Sequence, residues 1–515
     1  MWAATSRYYP ALLKAGLRLA RCHDLALVEA LLLARDGPPG EPATLAGAWA
    51  RLRGELPPRQ AAVPGAPPGG PPSGEQQALF GPAEPVLPGG SELDAVTAVY
   101  AGQLAAIAAD ESPARLRLLA AAESAGALAA AEMNSDGLPW RADLHDELLV
   151  SLLGPRPPRG SRPRRLAELA EQITAAFGGR PVNPDSPAQL VRAFAAAGVS
   201  VPSTRSHVLR GVDHPAVPLL LQYKELSRLH AAHGWSWLDS WVSGGRFRPE
   251  YVVGAVVSGR WATNGGGALQ IPRVLRRAVV ADPGWTLVVG DAAQLEPRVL
   301  AALASDRAFA EAASAGDLYA ELAGAFGGDR AKAKVALLSA MYGGAGGEAG
   351  QLLAVLRRRF PDAAGYVEAA ARAGEEGRVV RSVLGRSCPP PSQAWRSLTA
   401  SASQAAARAV RARGRFTRNF VVQASAADWA VVLLATLRQR LAELVPETGA
   451  GGAGRPHLVF FQHDEVVVHC PDELTQPVIT AIGSAAQEAG RLVFGGTAVR
   501  FPMTTAAVAC YADAK

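Results

Sequence analysis

The C-terminal part of the chain contains two apolar runs, residues 458–461 and 466–468, on either side of a short polar break. Runs of aromatic and β-branched residues around such a break predict a β-hairpin, with Asp464 and Glu465 at its tip. An aspartate–glutamate pair in so apolar a hairpin has little structural reason to exist. Carboxylate oxygens are the ligands that hard divalent cations prefer, so the hairpin predicts a sheet that carries a metal-binding edge.

A second apolar run, residues 287–289, leads directly into Asp291. An acid at the C-terminal end of a buried strand is a common metal or catalytic position, because the sheet holds it rigidly. Taken alone, Asp291 is equally consistent with the N-cap of a following helix. Paired with Asp464 on a neighbouring strand, it predicts two metal ions about 4 Å apart that clamp the oxygens of a phosphoryl transfer. Helical spacing follows and carries three polar side chains, Gln294, Glu296 and Arg298.

Residues 329–344 predict a helix with Asp329 as its N-cap. Four side chains spaced four residues apart share one stripe of this helix, namely Arg330, Lys334, Leu338 and Tyr342. The two cations would face a triphosphate, and the two larger side chains would form an apolar floor for a base. An ordinary amphipathic helix with solvated cations explains the same pattern, and it is the better interpretation of this segment alone.

Charge is distributed unevenly along the chain. The net charge is +6, but residues 357–418 contain 13 arginines, no lysine and four acids, so this stretch alone carries +9. Such a patch attracts polyanions, because arginine guanidinium groups form bidentate hydrogen bonds with phosphate oxygens. A solvated helical surface is an equally good interpretation without a motif. The four cysteines form no CxxC pair, so we expect neither a zinc site nor a disulfide framework, and a reducing cytoplasm fits.

The length of 515 residues allows about two to four domains, and 49% hydrophobic residues allow a large core. Residues 54–90 are rich in proline and glycine and predict a linker, and a second break spans 154–165. From Tyr251 onward, strands alternate with helices. The N-terminus lacks a long apolar core with a cleavage site, so we expect no signal peptide and no membrane span.

Taken in chain order, the segments at residues 285–306, 329–344 and 457–470 resemble motifs A, B and C of family A DNA polymerases, and the resemblance extends from about Glu132 to Lys515. Further matching segments are Asn183-Pro184-Asp185-Ser186-Pro187, YKELSRLH from Tyr223, Ser258-Gly259-Arg260, Ile271-Pro272, GRVVRSVLGR from Gly377, and RFTRNFVVQASAAD from Arg415 to Asp428.

The resemblance implies a role for each matching residue. Asp291 and Asp464 would hold two Mg²⁺ ions, with Mn²⁺ as a possible substitute, and Glu465 and Lys334 would complete the catalytic group. Glu296 would be the steric gate against a ribose 2′-OH. The implied dNTP-binding residues are Arg330, Lys334, Leu338, Tyr342, Glu296, Gln294 and Tyr319. The implied DNA-binding residues are Arg260, Arg415, Asn419, Gln423, His463 and Arg298.

Five positions depart from the family pattern. Leu338 stands where an aromatic residue is usual, and motif A reads Asp-Ala-Ala-Gln instead of Asp-Tyr-Ser-Gln. Tyr319 stands where a histidine is common, and Val421 replaces a proline. The metal ligands are untouched, so these departures affect the expected rate, fidelity and nucleotide-analogue preference, and not the expected activity.

Residues 1–112 resemble the end of a 3′–5′ exonuclease domain of the RNase H-like type. CHDLALVEALLL is similar to a late helix of that fold, and SELDAVTAVYAGQLA to its closing helix. The Asp-x-Glu strand of an active exonuclease is absent, the closing helix lacks the expected Tyr-x-x-x-Asp, and Asp94 lies off register. We therefore expect a shortened, catalytically dead remnant.

The implied fold is α+β, a right hand with an antiparallel palm sheet and helical thumb and fingers. The polymerase domain would span residues 113–515. Within it we expect a thumb at about 140–225, a palm at about 226–300 and 411–515, and fingers at about 301–410.

The implied function is template-directed addition of dNTPs to a primer 3′-OH, without proofreading. The expected partners are primer-template DNA and dNTPs, with no membrane, for a monomer in the cytoplasm beside the nucleoid. Two alternatives stay open. A single-subunit RNA polymerase shares the palm aspartates, although Glu296 argues against it. A polymerase-like DNA-binding protein with weakened chemistry is the other, although the intact Asp291 and Asp464 argue against that.

Overall fold

The structure, a computed structural model, describes residues 1–37, 40–57, 91–158, 160–314, 316–324, 327–343, 354, 357–445 and 454–514. Most of the segment predicted as a proline- and glycine-rich linker, residues 58–90, therefore lies outside the described residues.

Helices make up most of the described chain. The first are α1 (Thr5–Lys14), α2 (Leu25–Asp36), α3 (Leu45–Leu52), α4 (Glu92–Ala108) and α5 (Pro113–Asp136). They are followed by α6 (Ala142–Leu153), α7 (Arg164–Ala176), α8 (Pro187–Ala196), α9 (Ser206–Leu209), α10 (Ala216–His233) and α11 (Trp235–Trp241). Next come α12 (Leu295–Ala304), α13 (Arg307–Ser314), α14 (Leu318–Ala323), α15 (Arg330–Met341) and α16 (Pro361–Glu375). The last are α17 (Gln393–Thr399), α18 (Gln404–Glu443) and α19 (Thr475–Phe494).

The strands are short except in one sheet. They are β1 (Leu138–Pro139), β2 (Val242–Ser243), β3 (Arg246–Phe247), β4 (Tyr251–Val252), β5 (Ala262–Thr263), β6 (Trp285–Ala292), β7 (His457–Gln462), β8 (Glu465–Pro471) and β9 (Met503–Val508). Short 3₁₀ segments cover Ala268–Gln270, Arg273–Ala278, Asp472–Leu474 and Tyr511–Ala514.

The chain divides into two compact units. The first comprises Met1–Asp136, Pro249–Gly265 and Gly284–Ala507, and the second comprises Gly137–Arg248, Gly266–Pro283 and Val508–Lys515. The predicted boundaries of thumb, palm and fingers stay predictions.

The main sheet of the first unit has the strand order β7-β8-β6-β9, and both β7 and β6 pair antiparallel with β8. The apolar residues of β6 and β8 are buried on both faces, which explains why their sequences read as continuous aliphatic runs. The hairpin predicted from residues 458–468 is present as β7 and β8.

Helix α19 packs against this sheet directly over Gly290 of β6. A Cβ at Gly290 would lie 3.0 Å from Cγ2 of Ile482 in that helix, closer than nearly all Cβ contacts. Glycine at this position therefore lets the helix approach the strand. The close contact fixes the distance between β6 and α19 at Gly290, the residue before Asp291.

The 40-residue helix α18 is the central helix of the first unit and packs against α5, α16 and α19. It is long and apolar enough to cross a membrane, but 83% of its most apolar window is buried inside the protein. Burial of this kind marks a core helix of a globular unit. Ser403 caps its N-terminus by accepting a hydrogen bond from the Ala406 amide at 3.1 Å.

The N-terminal helices are tied to the same core by buried polar groups. The Tyr9 hydroxyl donates to Glu132 of α5, and Arg438 of α18 donates to both oxygens of that carboxylate, from Nε and Nη2, at 2.7 Å each. The Arg438 guanidinium also reaches the carbonyls of Leu19 and Ala20. Burial raises the pKa of Tyr9 to about 12, so its hydroxyl stays a donor. The resemblance of this region to an exonuclease remnant stays a prediction.

The second unit is organised around an aromatic cluster. Trp237 contacts the rings of Trp140, His145 and Phe247 with centroid distances of 5.0–5.6 Å. His145 accepts from the Trp140 indole at Nδ1, 3.3 Å away, and its Nε2 lies 3.0 Å from the carbonyl oxygen of His233. His145 is therefore neutral, with the proton on Nε2.

This histidine makes the stability of the second unit pH-dependent. Burial lowers the pKa of His145 from its ordinary 6.5 to about 4. The folded state favours the neutral ring, so its stabilisation is complete above pH 6.5 and is lost as the pH falls towards 4, by roughly 3 kcal/mol. We expect the hydrogen–deuterium exchange protection factors of the second unit, which compare each observed rate with the intrinsic amide rate at that pH, to fall between pH 6.5 and 4.

His145→Gln should reduce that pH dependence without abolishing it, because glutamine does not titrate, whereas burial also lowers the pKa of His233, whose ring contacts Trp237 as well, to about 4. His207→Gln is the matched control, since His207 is exposed in the same unit and its replacement should leave the slope unchanged. An unchanged slope in the His145→Gln protein would contradict this account of the cluster.

Candidate active site

Two carboxylates meet at one edge of the main sheet. Asp291 lies near the end of β6, directly opposite Glu465 on β8. Asp464 occupies the two-residue turn between β7 and β8, and its carbonyl oxygen accepts a hydrogen bond from the Ala292 amide at 3.1 Å. The turn requires His463 to adopt a φ of +58°, which points the chain sharply back into β8. Strand pairing therefore brings the two aspartates, 173 residues apart in the sequence, to adjacent positions.

The donor chemistry of this edge fits magnesium. Among the residues that the structure describes, no group of three or more His, Cys, Asp or Glu side chains is arranged to hold a metal ion. Mg²⁺ is commonly bound by one or two carboxylates, with substrate phosphates and waters as its other ligands. Asp291 and Asp464, both partly exposed, meet that requirement, whereas an all-protein zinc site would need more ligands.

Glu296 is the point where three sequence motifs converge. It lies in the first turn of α12, and its two oxygens accept hydrogen bonds from the Arg260 guanidinium and from the Tyr342 hydroxyl. Burial and the negative charge of Glu296 raise the pKa of Tyr342, so the phenol keeps its proton. The side chain of Gln423 hydrogen-bonds the same hydroxyl. The carboxylate of Glu296 is therefore held on both sides.

The predicted triphosphate residues gather around a second tyrosine. The Arg330 guanidinium and the Lys334 ammonium lie over the Tyr319 ring, 5.5 and 6.0 Å from its centroid. Burial and the charges of Glu296 and Asp464 raise the pKa of Tyr319 to about 12. The charges of both Glu296 and Asp464 therefore act on Tyr319, which keeps its proton.

Asp317 was not predicted, although it precedes Tyr319 in the run DLYAEL. It caps α14 by accepting from the Tyr319 amide at 3.0 Å, and it also accepts from Arg330. Burial opposes its ionisation, but the hydrogen bond from Arg330 and those from backbone amides lower its pKa below the usual value. Asp317 therefore holds Arg330 in a charged pair.

Two predicted residues have a structural role in this arrangement. Arg298 is 3% exposed, and its guanidinium donates to the carbonyls of Ala293, Ala313, Arg500 and Gly316. That burial does not offer the group to a DNA phosphate, which corrects the prediction for Arg298. Gln294 has a left-handed φ of +55°, donates to Asp317 at 2.5 Å and accepts from the Leu318 amide at 3.1 Å. Gln294 therefore ties the start of α12 to α14.

Three of the predicted DNA-binding residues lie along one side of α18. Arg415 is exposed, and Asn419 and Gln423 are partly buried. Their four-residue spacing places them on one stripe of the helix. At one end of the stripe Arg415 lies beside Gly343, and at the other Gln423 hydrogen-bonds the Tyr342 hydroxyl. The buried Oδ1 atom of Asn419 has no hydrogen-bond donor among the described residues. At the hairpin turn, partial desolvation of the His463 ring and the positive charge of Arg260 lower the pKa of this histidine.

Leu338 lies on the open side of α15. Its neighbour Leu337 is fully buried in the core of the first unit, whereas Leu338 is partly exposed. The helix therefore turns Leu337, and not Leu338, into the core. Tyr342 follows one turn later with its amide bonded to the Leu338 carbonyl at 3.0 Å.

A buried charge triad beside the site was missed entirely. Arg386 donates to Glu123 of α5 and to Asp428 of α18, the latter at 3.2 Å, and all three side chains are 7% exposed or less. The sequence signals were an acid, Glu123, in the apolar run of α5, and the last residues of two resembling segments, Arg386 and Asp428, which had no assigned role. We name this group the Glu123–Arg386–Asp428 triad.

Comparison with known proteins places these features in a family. The family model for DNA polymerase family A matches residues 161–495. The thermostable DNA polymerase I of Thermus filiformis is 31% identical over 304 residues, which are 52% of this chain and 33% of that protein. The DNA polymerase I of Chloroflexus aurantiacus is 26% identical over 361 residues, 61% of this chain and 36% of that protein. The matches thus span about a third of these relatives' length.

A solved structure has the same fold. The POL domain of Pol1 from M. smegmatis, in complex with DNA primer-template and dNTP, superposes with a TM-score of 0.70 at 20% identity, covering 95% of this chain and 82% of that one. The predicted α+β fold is confirmed by this match. Because the family model covers more than half of the 515 residues, the chain belongs to DNA polymerase family A.

Proposed function

We propose that this chain is a template-directed DNA polymerase that adds dNTPs to a primer 3′-OH and releases pyrophosphate, without proofreading. The observation that carries the proposal is the pair Asp291 and Asp464, held side by side at the sheet edge by strand pairing. The relatives named above are DNA polymerases, and the M. smegmatis structure contains DNA primer-template and dNTP. We propose the same substrates here, for a protein that acts as a monomer.

The proposed roles follow from the positions of the side chains. Asp291 and Asp464 would hold Mg²⁺, which when bound lowers the pKa of the attacking hydroxyl and neutralises charge on the leaving group. Arg330 and Lys334 sit on the exposed side of α15 and would bind the triphosphate. An incoming phosphate would compete with Asp317 for Arg330, so substrate binding would exchange one charged pair for another.

Glu296 would provide the wall against a ribose 2′-OH. Two donors, Arg260 and Tyr342, already occupy its oxygens, so an incoming hydroxyl would meet a fixed, satisfied carboxylate. A rigid wall of this kind rejects an extra hydroxyl better than a mobile side chain does. This arrangement disfavours the alternative of an RNA polymerase, whose site must accept that hydroxyl.

The first prediction concerns the metal ligands. Asp291→Ala and Asp464→Ala should each lower primer extension by about a thousandfold or more, because the two carboxylates carry the metal ions. DNA binding should survive in a gel shift, since phosphate contacts from arginine and lysine supply most of the affinity. Asp472→Ala is the control, because Asp472 adjoins the opposite end of β8 and should be dispensable. Activity within tenfold of wild type in either site variant would refute the assignment.

The second prediction concerns sugar selection. Glu296→Ala should raise rNTP incorporation by roughly one to three orders of magnitude, or about 1.4–4 kcal/mol in discrimination, because the wall is removed. Tyr342→Phe should give a smaller increase, since it frees one side of the carboxylate only. Single-nucleotide kinetics with dNTP and rNTP pairs measure both, with Glu321→Ala on α14 as a control. An unchanged dNTP/rNTP ratio in Glu296→Ala would mean that another residue is the gate.

The third prediction concerns Leu338. Leucine has no polar atom, so nothing compensates for a missing 3′-OH, and wild type should discriminate strongly against dideoxynucleotides. Leu338→Tyr should relax that discrimination, because Leu338 is on the open side of α15 and a phenol there can supply a hydrogen bond. Val335→Tyr is the matched control, since Val335 is 65% exposed on the same helix. A folded, active Leu338→Tyr enzyme with the wild-type dTTP/ddTTP ratio would make Leu338 a packing residue.

The fourth prediction concerns proofreading. The described residues of the N-terminal region contain no cluster of metal-binding acids, and a two-metal exonuclease requires one. The purified protein should therefore leave a mismatched 3′ primer end intact in Mg²⁺ without dNTPs. Shortening that persists in the Asp291→Ala protein would reveal a separate nuclease site.

A further inference from the structure

The backbone of Gly259 rests directly on the guanidinium of Arg386. Gly259 has a φ of +81°, and a Cβ there would clash with Cζ and Nε of Arg386 and lie 2.8 Å from its Nη2. Glycine is therefore required twice, for the left-handed backbone and for the close approach. Gly259 immediately precedes Arg260, so the guanidinium supports the turn that presents Arg260 to Glu296.

Arg386 is itself fixed by two helices. Glu123 of α5 and Asp428 of α18 are 1% and 0% exposed, and they hold Nη2 and Nε of the guanidinium, respectively. Asp428 also accepts from the Leu384 amide at 3.3 Å. The plane of the guanidinium is thus set by two carboxylates from separate helices, which is an orientation that lysine cannot reproduce.

The loop that carries Arg386, residues 382–386, is anchored as well. Ser382 and Arg386 bond each other twice, from the Ser382 amide to the Arg386 carbonyl at 2.8 Å and from the Arg386 amide to the Ser382 hydroxyl at 2.9 Å. Arg35 of α2 donates to the Gly385 carbonyl at 2.8 Å. The loop therefore has little freedom to move away from Gly259.

A simple role in stability does not account for this arrangement. Two buried carboxylates share one cation, and burial raises the pKa of both Glu123 and Asp428. The Oε2 atom of Glu123 has no hydrogen-bond donor among the described residues. Well-packed apolar side chains stabilise a core at least as well as such a group, so its value lies in orientation.

We propose that the Glu123–Arg386–Asp428 triad positions Arg260, and through it the Glu296 gate, for sugar selection and primer-terminus contact. The proposal rests on the proposed polymerase function. The path runs from the triad to Gly259 by direct contact, from Gly259 to Arg260 along the backbone, and from Arg260 to Glu296 by a charged hydrogen bond. The three triad residues are positioning residues, since none of them reaches the substrate side of Glu296.

The test compares two buried arginines. Arg386→Lys keeps the charge but loses the fork that faces Gly259. Arg438→Lys is the matched control, because Arg438 also joins α18 to a carboxylate of α5, Glu132, with 10% and 9% exposure. Both variants should lower the melting temperature. Only Arg386→Lys should raise the rNTP/dNTP incorporation ratio, by about tenfold, and raise KM for the primer-template.

A double-mutant cycle separates positioning from general loosening. If the triad acts through Arg260, Arg386→Lys should change sugar selection in wild type and leave it unchanged in an Arg260→Ala background. Gly259→Ala, which leaves the triad residues intact and pushes the turn off the guanidinium, should reproduce the effect of Arg386→Lys. Equal profiles for the two lysine variants, or a full Arg386→Lys effect in the Arg260→Ala background, would overturn the proposal.

A measurement that does not depend on catalysis distinguishes failure of the triad proposal from failure of the proposed polymerase function. Hydrogen–deuterium exchange of residues 256–262 should accelerate in Arg386→Lys and stay at the wild-type rate in Arg438→Lys. If wild type extends primers and exchange is unaffected in both variants, the triad proposal fails and the proposed function stands. If wild type does not extend primers, the proposed function fails, and the exchange data still decide whether the triad holds the turn. Should Arg386→Lys not fold, Asp428→Asn, which keeps the shape of the acceptor, is tested in its place.

Discussion

The register between β6 and β8 is the constraint on which the candidate site depends. It sets Asp291 opposite Glu465 and draws the Asp464 turn against Ala292. A slip of one residue would turn Asp291 to the other face of the sheet and separate it from its partner. Burial on both faces and the contact of Ile482 with Gly290 oppose that slip. A slip would place a residue with a side chain beneath Ile482 of α19, where a Cβ would lie only 3.0 Å away. Rigid placement of two like charges is thus achieved by apolar packing beneath them.

The N-terminal region has a structural role in this chain that does not depend on any exonuclease ancestry. Arg438, Glu132 and Tyr9 join it to α5 and α18, and those two helices also supply Glu123 and Asp428. Arg35 reaches the loop that carries Arg386. Buried charged hydrogen bonds of this kind are costly to break singly, because each leaves a partner desolvated. The region therefore forms part of the support on which the polymerase helices rest.

The sequence predicted the parts of the site that depend on local pattern. The hairpin tip at Asp464, the strand into Asp291 and the stripe on α15 follow from alternation and four-residue spacing, and each is present in the structure. Burial of single polar residues was not predictable, because it depends on distant backbone. Arg298 has the sequence context of a surface helix, yet carbonyls up to 202 residues away surround it. The triad was missed for the same reason, since 263 residues separate Glu123 from Arg386.

The arginine-rich stretch shows how a charge count overstates a binding surface. Of its 13 arginines, Arg386 is buried in the triad and Arg418 is buried with its Nε bonded to the Met341 carbonyl at 2.9 Å. Others form exposed ion pairs, as Arg357 does with Glu368. Exposed pairs of that kind contribute little to stability, but they reduce the field that a polyanion would meet. The remaining exposed positions on α18 are Arg408, Arg411 and Arg415. They span about 10 Å along the helix and end at Arg415, which lies beside Gly343, so this exposed charge is concentrated where the stripe of Asn419 and Gln423 begins.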